Sequence, residues 1–376
     1  MHILEIPSFF PPHGGLFALE QARALQALAG TVRMLAPVQL GVSVDGSYYF
    51  KARHGRWWEV LDGVEVYRCN VWGLPRSVKQ NQQRWCRTVH EMYEEYKHRH
   101  GTPDVLHAHC CQWAGVAARR IAEQEHIPYF ITEHLPSAVW DSSYGHGWKK
   151  AEWARLLLKD TYEHANQVIP VSAELVDDLA PYFGKHYAFT PISNLIDVDF
   201  FAYQPRTPHS GPFRFCCLAI ADIHRKGYDV LAEAIREMEG VELHIAGAGT
   251  DSQAMRGLFA NARNVIFHGE LKKEGVRALL YQCDALVLAS RNEAQGLVIL
   301  EAIATGIPAV ITDAIPRNAQ VDGASLIAHS GDAVSLRQQM EAVRQTDFNP
   351  RWSDIIRQRV APEVVARQIM DVFACK

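Results

Sequence analysis

Short apolar runs alternate with amphipathic stretches along most of this chain, and they do so in two series. The first series predicts strands over 1–6, 31–36, 105–109, 129–132 and 167–171. The second series predicts strands over 213–220, 241–246, 264–267, 285–289 and 309–312. Helical periodicity fills most of the intervals, as over 16–28, 78–99 and 297–305. Because strands that alternate with helices form parallel sheets, the chain is expected to be a doubly wound α/β protein.

A proline-rich stretch, 203–212, separates the two series, and 376 residues exceed what one core usually supports. We therefore predict two Rossmann-like domains facing a central cleft, over 1–195 and 196–348. Residues 349–376 are predicted to be a helical segment that packs back on the first domain. The aromatic-rich stretch 41–72 is predicted to be irregular, and 133–147 to be a loop.

Composition narrows the class of protein. A hydrophobic content of 48%, a charged content of 21% and a net charge of −4 fit a globular chain and do not suggest nucleic-acid binding. The first residues do not have the pattern of a signal peptide, and no apolar run is long enough to span a membrane. Cys110-Cys111 and Cys216-Cys217 adjoin strand-like runs, so we expect buried free thiols in a reducing cytoplasm.

The segment Glu293-Ala294-Gln295-Gly296-Leu297-Val298-Ile299-Leu300-Glu301 carries the strongest functional pattern. It follows a predicted buried strand, and ligands of open α/β sheets bind beyond the carboxyl ends of strands. If a helix starts near Gly296, its first amides attract a diphosphate, and Glu301 lies ~7 Å further along the axis. The two carboxylates could then accept hydrogen bonds from sugar and ribose hydroxyls. Solvated surface charges are the alternative.

Other turns offer phosphate-binding chemistry. Arg225-Lys226-Gly227 places two cations before a predicted helix, where they could stabilise a diphosphate leaving group. Gly14-Gly15 follows the first predicted strand, and Gly247 follows another. Because glycine has no side chain, a phosphate could approach the backbone closely at these turns. A basic surface turn and ordinary loops are the alternatives.

Histidine is abundant, with 18 residues. His107 and His109 share one face of a predicted strand and could meet a metal ion, but no carboxylate or cysteine pair completes a recognisable spacing, so no metal is expected. His134 ends a strand and could bind a sugar hydroxyl, and His109 is a second candidate. A histidine that only caps a loop is the alternative for His134.

Taken in order, five pieces resemble the GT-B fold glycosyltransferases of family 4 (group 1 type), which are retaining nucleotide-sugar transferases. They are Gly14-Gly15, Val171-Ser172, the segment from Ile192-Ser193-Asn194 to Phe201, Arg225-Lys226-Gly227, and the Glu293–Glu301 segment. One position departs from the pattern: many relatives carry another arginine where this chain has Ala221-Asp222, and Arg225 is a candidate substitute.

The resemblance implies transfer of a sugar from a nucleotide-diphosphate sugar to an acceptor hydroxyl, without a metal. Glu293, His134 and Lys226 would be catalytic. The donor would bind Gly14, Gly15, Arg225, Lys226, Gly296, Leu297, Val298 and Glu301. The cleft would also be lined by His109, Ser172, Asn194, Gly247 and Leu271. The acceptor would be a sugar, a lipid-linked sugar or another small molecule, in a cytoplasmic bacterial pathway of glycan synthesis.

Three further interpretations of the chain's partners and activity stay open at this point. Peripheral membrane contact is one, because a basic helix over 84–100 could meet anionic lipid, although Glu91, Glu94 and Glu95 interrupt it and favour a solvated face. A nucleotide-sugar epimerase on the same fold is another, and a non-catalytic sugar-nucleotide-binding subunit is the third. The base, the sugar and the acceptor are not identified by the sequence.

Overall fold

The computed structural model describes residues 1–12, 14–40, 52–75, 77–144, 151–205, 209–262 and 264–375. The chain divides into two compact units. The first unit comprises Met1–Leu195 with Pro362–Lys376, and the second comprises Ile196–Ala361. Each unit is built on a mainly or wholly parallel sheet, as the alternation of strands and helices predicts.

The first unit has a seven-stranded sheet of order β3-β4-β2-β1-β5-β6-β7. Its strands are β1 (His2–Pro7), β2 (Thr31–Leu40), β3 (Arg56–Leu61), β4 (Val64–Trp72), β5 (Val105–His109), β6 (Tyr129–Glu133) and β7 (Gln167–Pro170). Its helices before residue 195 are α1 (Leu16–Ala29), α2 (Val78–His100), α3 (Val116–Glu125), α4 (Ser137–Tyr144), α5 (Glu152–Glu163) and α6 (Ala173–Phe183). All pairings are parallel except that of β3 with β4.

The prediction that 41–72 is irregular is wrong for its second half, because β3 and β4 form an antiparallel hairpin. Asp62 and Gly63 make the turn with φ of 47° and 85°. Two successive positive φ values are the mark of the two-residue turns that favour Asp-Gly, so the signal was present in the sequence. Trp58 on β3 stacks on Tyr67 of β4 at 4.6 Å between ring centroids. The aromatic residues Tyr48 to Phe50 lie outside the described residues.

The second unit has a wholly parallel six-stranded sheet of order β10-β9-β8-β11-β12-β13. Its strands are β8 (Phe213–Leu218), β9 (Val241–Ala246), β10 (Val265–Gly269), β11 (Ala285–Leu288), β12 (Ala309–Thr312) and β13 (Ser325–Ala328). Its helices are α7 (Tyr228–Arg236), α8 (Gln253–Leu258), α9 (Lys273–Gln282), α10 (Leu297–Ala304), α11 (Ala333–Val343) and α12 (Pro350–Val360). Because parallel strands share a direction, the loops after β10, β9, β8 and β11 meet at one edge of this sheet.

The predicted segment 349–376 does not pack as one piece on the first domain. It is two helices, α12 and α13 (Pro362–Ala374), separated at Ala361, which is extended with a ψ of 147°. Pro362 disfavours the helical conformation in the residue before it, which explains the break. The first helix packs against α10 in the second unit, and only α13 packs against α1 in the first.

The cores of both units lie between sheet and helices. Most strands of the predicted pattern are buried, although β10 is partly exposed, and the paired thiols Cys110-Cys111 and Cys216-Cys217 are buried, as expected. The predicted loop over 133–147 contains α4, so that prediction is wrong for 137–144. Across the described ranges, no helix is both long enough and apolar enough to cross a membrane.

Candidate active site

The loops after β8 and β11 are neighbours in the second unit because these strands pair. Gly227 makes the closest approach between them, with φ of 65°, and a Cβ atom there would lie 1.9 Å from the carbonyl oxygen of Ala289. The amide of Arg291 donates to the carbonyl of Arg225 at 2.8 Å. The glycine and this backbone bond therefore hold the Arg225-Lys226-Gly227 turn beside the chain that leads to Glu293.

Lys226 and Glu293 form an ion pair across these two loops. Their side chains are only 13% and 9% exposed. The Ser290 hydroxyl donates to the same Glu293 oxygen at 2.8 Å, and the Thr312 hydroxyl donates to the carbonyl of Ser290 at 2.6 Å. Two predicted catalytic residues, 67 positions apart, are thus joined in one buried polar cluster. The support from Ser290 was not predicted from the sequence.

Arg225 lies in the same turn, but its guanidinium is held by a different partner. Its Nε donates to Asp222 at 2.8 Å, and its amide also donates to that carboxylate at 3.1 Å. Although burial raises the pKa of Asp222, the hydrogen bonds and charge of Arg225 lower it below the ordinary value. Asp222, which follows the departing position Ala221, is therefore what fixes Arg225 in place.

Helix α10 begins at Leu297, next to Gly296, as predicted. Gly296 has φ of 89°, which favours glycine. Leu297 and Val298 are the first helical residues, where backbone N–H groups lack helical acceptors, and Glu301 lies on the next turn. Gly296, Leu297, Val298 and Glu301 are all half-buried. The first backbone amides of this helix can bind an anion, and the Glu301 carboxylate lies one turn further along the helix.

Gly247 and Leu271 follow β9 and β10 at the same edge of the second sheet. A Cβ atom at Gly247 would lie 2.0 Å from the carbonyl oxygen of Ala219, so the turns after β8 and β9 are in direct contact. The Gly247 amide donates to the carbonyl of Gly269 at 2.7 Å. All the predicted site residues of the second unit are therefore on loops or a helix start at one sheet edge, the position at which such sheets bind ligands.

The carboxyl edge of the first sheet holds the remaining predicted residues. Gly14 and Gly15 follow β1, and the contact of Gly15 with the carbonyl oxygen of Phe9 leaves no room for a Cβ atom, at 1.9 Å. Ser172 caps α6 by accepting from the Leu175 amide at 3.2 Å. Asn194 accepts from Gln21 of α1 at 3.4 Å. Ser172 and Asn194 are both buried and serve the packing of the unit in these contacts.

His109 ends β5, and His134 directly follows β6, so the pairing of these strands brings the two rings together. Their nitrogens Nδ1 and Nε2 lie 3.3 Å apart, and Phe17 stacks on His134 at 3.9 Å between ring centroids. Burial holds the pKa of both histidines below the ordinary value, most strongly at His134. Both rings are therefore neutral near pH 7.

The expectation that no carboxylate accompanies His107 and His109 is wrong. Glu5 on β1 places Oε2 2.8 Å from Nδ1 of His107 and 2.8 Å from Nε2 of His109. Burial raises the pKa of Glu5, but the two imidazoles outweigh it and lower that pKa to about 2. A glutamate in the otherwise apolar run Ile3-Leu4-Glu5-Ile6 was the available signal.

Two imidazoles and a carboxylate are a donor set that a metal ion could use. In tetrahedral zinc sites with bonds of ~2.1 Å, ligand atoms lie roughly 3.4 Å apart. The 2.8 Å separation between Nε2 of His109 and Glu5 is instead that of a hydrogen bond, and Nδ1 of His107, at the same distance, makes no hydrogen bond among the described residues. The geometry thus fits an ionised carboxylate that accepts a hydrogen bond from His109 and lies in close contact with His107.

A second buried carboxylate, Glu133, fixes the chain that carries His134. One of its oxygens accepts from the amides of His134 and Leu135, each at 2.9 Å. The other accepts from the Cys111 amide at 2.9 Å and the Tyr162 hydroxyl at 2.6 Å. Burial raises the pKa of Glu133, and these four donors oppose that rise.

Two family profiles match the chain, one to each half. Residues 14–194 match "Glycosyl transferase 4-like domain", and residues 214–345 match "Glycosyl transferases group 1". The chain therefore belongs to the group 1, or family 4, glycosyltransferases, and the resemblance inferred from the five motifs is confirmed.

Named relatives are similar over different spans. A glycogen synthase of Mycobacterium tuberculosis is 30% identical over 224 residues, which cover 56% of this chain and 52%, about half, of that protein. TuaC of Bacillus subtilis, assigned as a glycosyltransferase of teichuronic acid biosynthesis, is 26% identical over 329 residues, 83% of this chain and 81% of that protein.

Solved structures confirm the GT-B fold. Sucrose-phosphate synthase from Thermosynechococcus elongatus aligns with a TM-score of 0.77 at 16% identity, over 100% of this chain and 99% of that one. HepE of Anabaena, solved with UDP and glucose, aligns with a TM-score of 0.71 at 15% identity over 100% of both chains.

Proposed function

We propose that this protein is a retaining glycosyltransferase that moves a sugar from a nucleotide-diphosphate sugar to an acceptor hydroxyl. The observation that carries the proposal is the Lys226–Glu293 ion pair at the carboxyl edge of the second sheet. The named relatives, which include a glycogen synthase and TuaC, support a role in bacterial glycan, glycolipid or glycoconjugate synthesis. A cytoplasmic location and peripheral membrane contact with a lipid-linked acceptor belong to the same proposal.

The ion pair suggests how the donor is received. A diphosphate brings negative charge to a lysine that Glu293 already neutralises, so the phosphate competes with Glu293 for the Lys226 ammonium. Glu293 is then released to accept a hydrogen bond from a sugar hydroxyl, while Ser290 continues to hold one of its oxygens. Arg225, fixed by Asp222, supplies the second cation.

The helix start completes the donor site in this proposal. The amides of Gly296, Leu297 and Val298 would bind phosphate oxygens, and Glu301 would hold the ribose hydroxyls. Fixed cations and the helix dipole would stabilise the charge that develops on the leaving diphosphate, so the reaction would need no metal. Gly247 and Leu271 would border the base.

The acceptor is assigned to the first unit, near Gly15 and His134. Retention of configuration, which the family resemblance implies, would then result from attack by the acceptor on the same face from which the leaving phosphate departs. That phosphate then helps to take the acceptor proton. We identify no side chain as the nucleophile of a double displacement.

A thermal-shift screen with UDP-, GDP- and ADP-sugars tests donor binding. A ligand at 100 times its dissociation constant stabilises the protein by ~2.7 kcal/mol, which such a screen detects readily. A shift with one nucleotide series identifies the base. The absence of a shift with every donor would count against the proposal.

Lys226→Ala and Glu293→Ala should each abolish transfer while the circular dichroism spectrum stays that of the wild type. Arg344→Ala is the matched control, because it removes a cation of the second unit that directly follows α11 and pairs with Glu341 of that helix at 2.8 Å. Nuclear magnetic resonance of the product gives the anomeric configuration. Normal turnover in both site variants, or an inverted product, would refute the mechanism.

A further inference from the structure

A line of buried polar side chains crosses the first sheet and ends at its carboxyl edge. Glu5 on β1 contacts His109 on β5, and His109 contacts His134 after β6, through N···O and N···N distances of 2.8 and 3.3 Å. Glu5, His109 and His134 are 0%, 1% and 8% exposed. Water therefore has little access to the line, and its hydrogen bonds must be satisfied internally or by a ligand.

The charge on Glu5 fixes where each proton of the line resides. An ionised carboxylate only accepts hydrogen bonds, so Nε2 of His109 must carry a proton and donate it. In a neutral imidazole the other nitrogen is an acceptor, so Nδ1 of His109 accepts from Nε2–H of His134. His134 is neutral as well, so its Nδ1 carries no proton and can only accept a hydrogen bond.

Nδ1 of His134 is buried and has no hydrogen-bond partner among the described residues. A buried polar atom without a partner is costly, and the stacking of Phe17 on the ring restricts it from turning to find one. None of the described residues therefore supplies the group at which this atom is aimed. Because it is an acceptor, it selects a donor such as a hydroxyl and disfavours phosphate or carboxylate oxygens.

We propose that Glu5 and His109 are positioning residues that keep the His134 proton on Nε2, so that Nδ1 of His134 accepts a hydrogen bond from a sugar hydroxyl of the substrate. The substrate part rests on the proposed function. The contact is a hydrogen bond, and no bond to hydrogen is broken in it. Without the carboxylate, either nitrogen of His134 can carry the proton, and the acceptor is lost in part of the molecules.

His107 provides an internal control. Its Nδ1 contacts the same Glu5 oxygen, and its Nε2 lies 2.7 Å from the Thr132 hydroxyl, but it is not between Glu5 and His134. His107→Gln therefore perturbs the same buried carboxylate without interrupting the line.

Nuclear magnetic resonance of the full chain labelled with ¹⁵N-histidine reads the tautomer directly, with the His134 signals assigned from their loss in His134→Asn. We expect a protonated Nε2 and an unprotonated Nδ1 in the wild type and in His107→Gln. Glu5→Gln should show both tautomers in exchange. A protonated Nδ1 in the wild type overturns the proposal, whether or not Glu5→Gln folds, and so does an unchanged tautomer in a folded Glu5→Gln.

Two substitutions of His134 test which nitrogen the substrate uses. The side-chain oxygen of asparagine is as many bonds from Cα as Nδ1, whereas that of glutamine reaches the position of Nε2. His134→Asn should therefore retain about 10-fold more kcat/KM than His134→Gln, the worth of one hydrogen bond. Equal losses, or a more active His134→Gln, overturn the substrate contact. If the wild type transfers no sugar from any donor, the proposed function and the substrate contact both fail, while the spectrum still decides the tautomer.

Discussion

The tight contact between Gly227 and the carbonyl oxygen of Ala289 gives a testable prediction for stability and turnover. In Gly227→Ala the added Cβ atom would lie 1.9 Å from the carbonyl oxygen of Ala289. Real Cβ atoms keep at least about 3.0 Å from such an atom, so the two loops must separate by about 1.1 Å. Lys226 is the adjacent residue, and the separation therefore pulls its ammonium away from Glu293.

The energetic cost has two parts. A non-glycine residue in the left-handed conformation that Gly227 adopts costs about 1–2 kcal/mol, and overpacking adds about 1–3 kcal/mol. Gly323→Ala is the matched control in the same unit, because Gly323 has φ of 78° but its added Cβ would have no neighbour nearer than 4.0 Å. The control should lose only the conformational part.

Urea unfolding followed by circular dichroism measures both variants, and donor binding is followed by thermal shift. Gly227→Ala should be less stable than Gly323→Ala by about 1–3 kcal/mol. Its transfer rate should fall by up to ~100-fold, since a displacement of ~1 Å at a positioning group can cost that much. If both variants have the same stability and turnover as each other, the close approach does not hold the site together.

Three further outcomes are expected. Glu5→Gln should be less stable than the wild type by about 3 kcal/mol at pH 7, because the folded pKa of Glu5, about 2, lies below the ordinary 4.5. This stabilisation is complete above pH 4.5 and is lost as the pH falls toward 2, so the urea midpoints of the two proteins should converge over that range. A constant difference between the midpoints would contradict the expectation. Glu133→Gln puts an amide where four donors converge and should lower the free energy of unfolding by about 1–3 kcal/mol for each donor left without an acceptor, which a lower thermal midpoint would report. An unchanged midpoint would show that these bonds are dispensable. Gly306→Ala brings a Cβ atom within 2.4 Å of the Tyr203 ring, and this clash should cost about 1–3 kcal/mol in addition to the about 1–2 kcal/mol of a non-glycine residue at φ of 89°. Tyr203→Ala should restore part of the clash cost in the double variant, and additive losses would exclude the clash.

The strand pattern predicted most of the fold because the central strands of both sheets are parallel and buried, which makes them continuous apolar runs. Apart from the β3–β4 hairpin, whose Asp-Gly turn was a readable signal, two of the missed features have weaker local signals. Strand β13 is short and only partly buried, and the break before Pro362 lies inside an amphipathic pattern that continues on both sides. Which unit receives a helix is decided by tertiary packing, as the different partners of α12 and α13 show.

The candidate site was predictable where chemistry and position coincide in the chain, as at Lys226, Glu293 and the helix start at Leu297. It was not predictable where the partner comes from a distant strand. Glu5 meets His109 only because β1 and β5 pair. Spacing within a segment does not report such pairings.

The return of α13 to the first unit has a consequence for synthesis on the ribosome. The second unit is one continuous stretch, so it can fold as soon as residue 361 has left the exit tunnel. The first unit, although made first, lacks the helix that covers α1 and contacts Phe130 through Phe373 until residues 362–374 emerge. The unit that is translated first is therefore the one that is completed last, with the apolar face of α1 uncovered in the meantime.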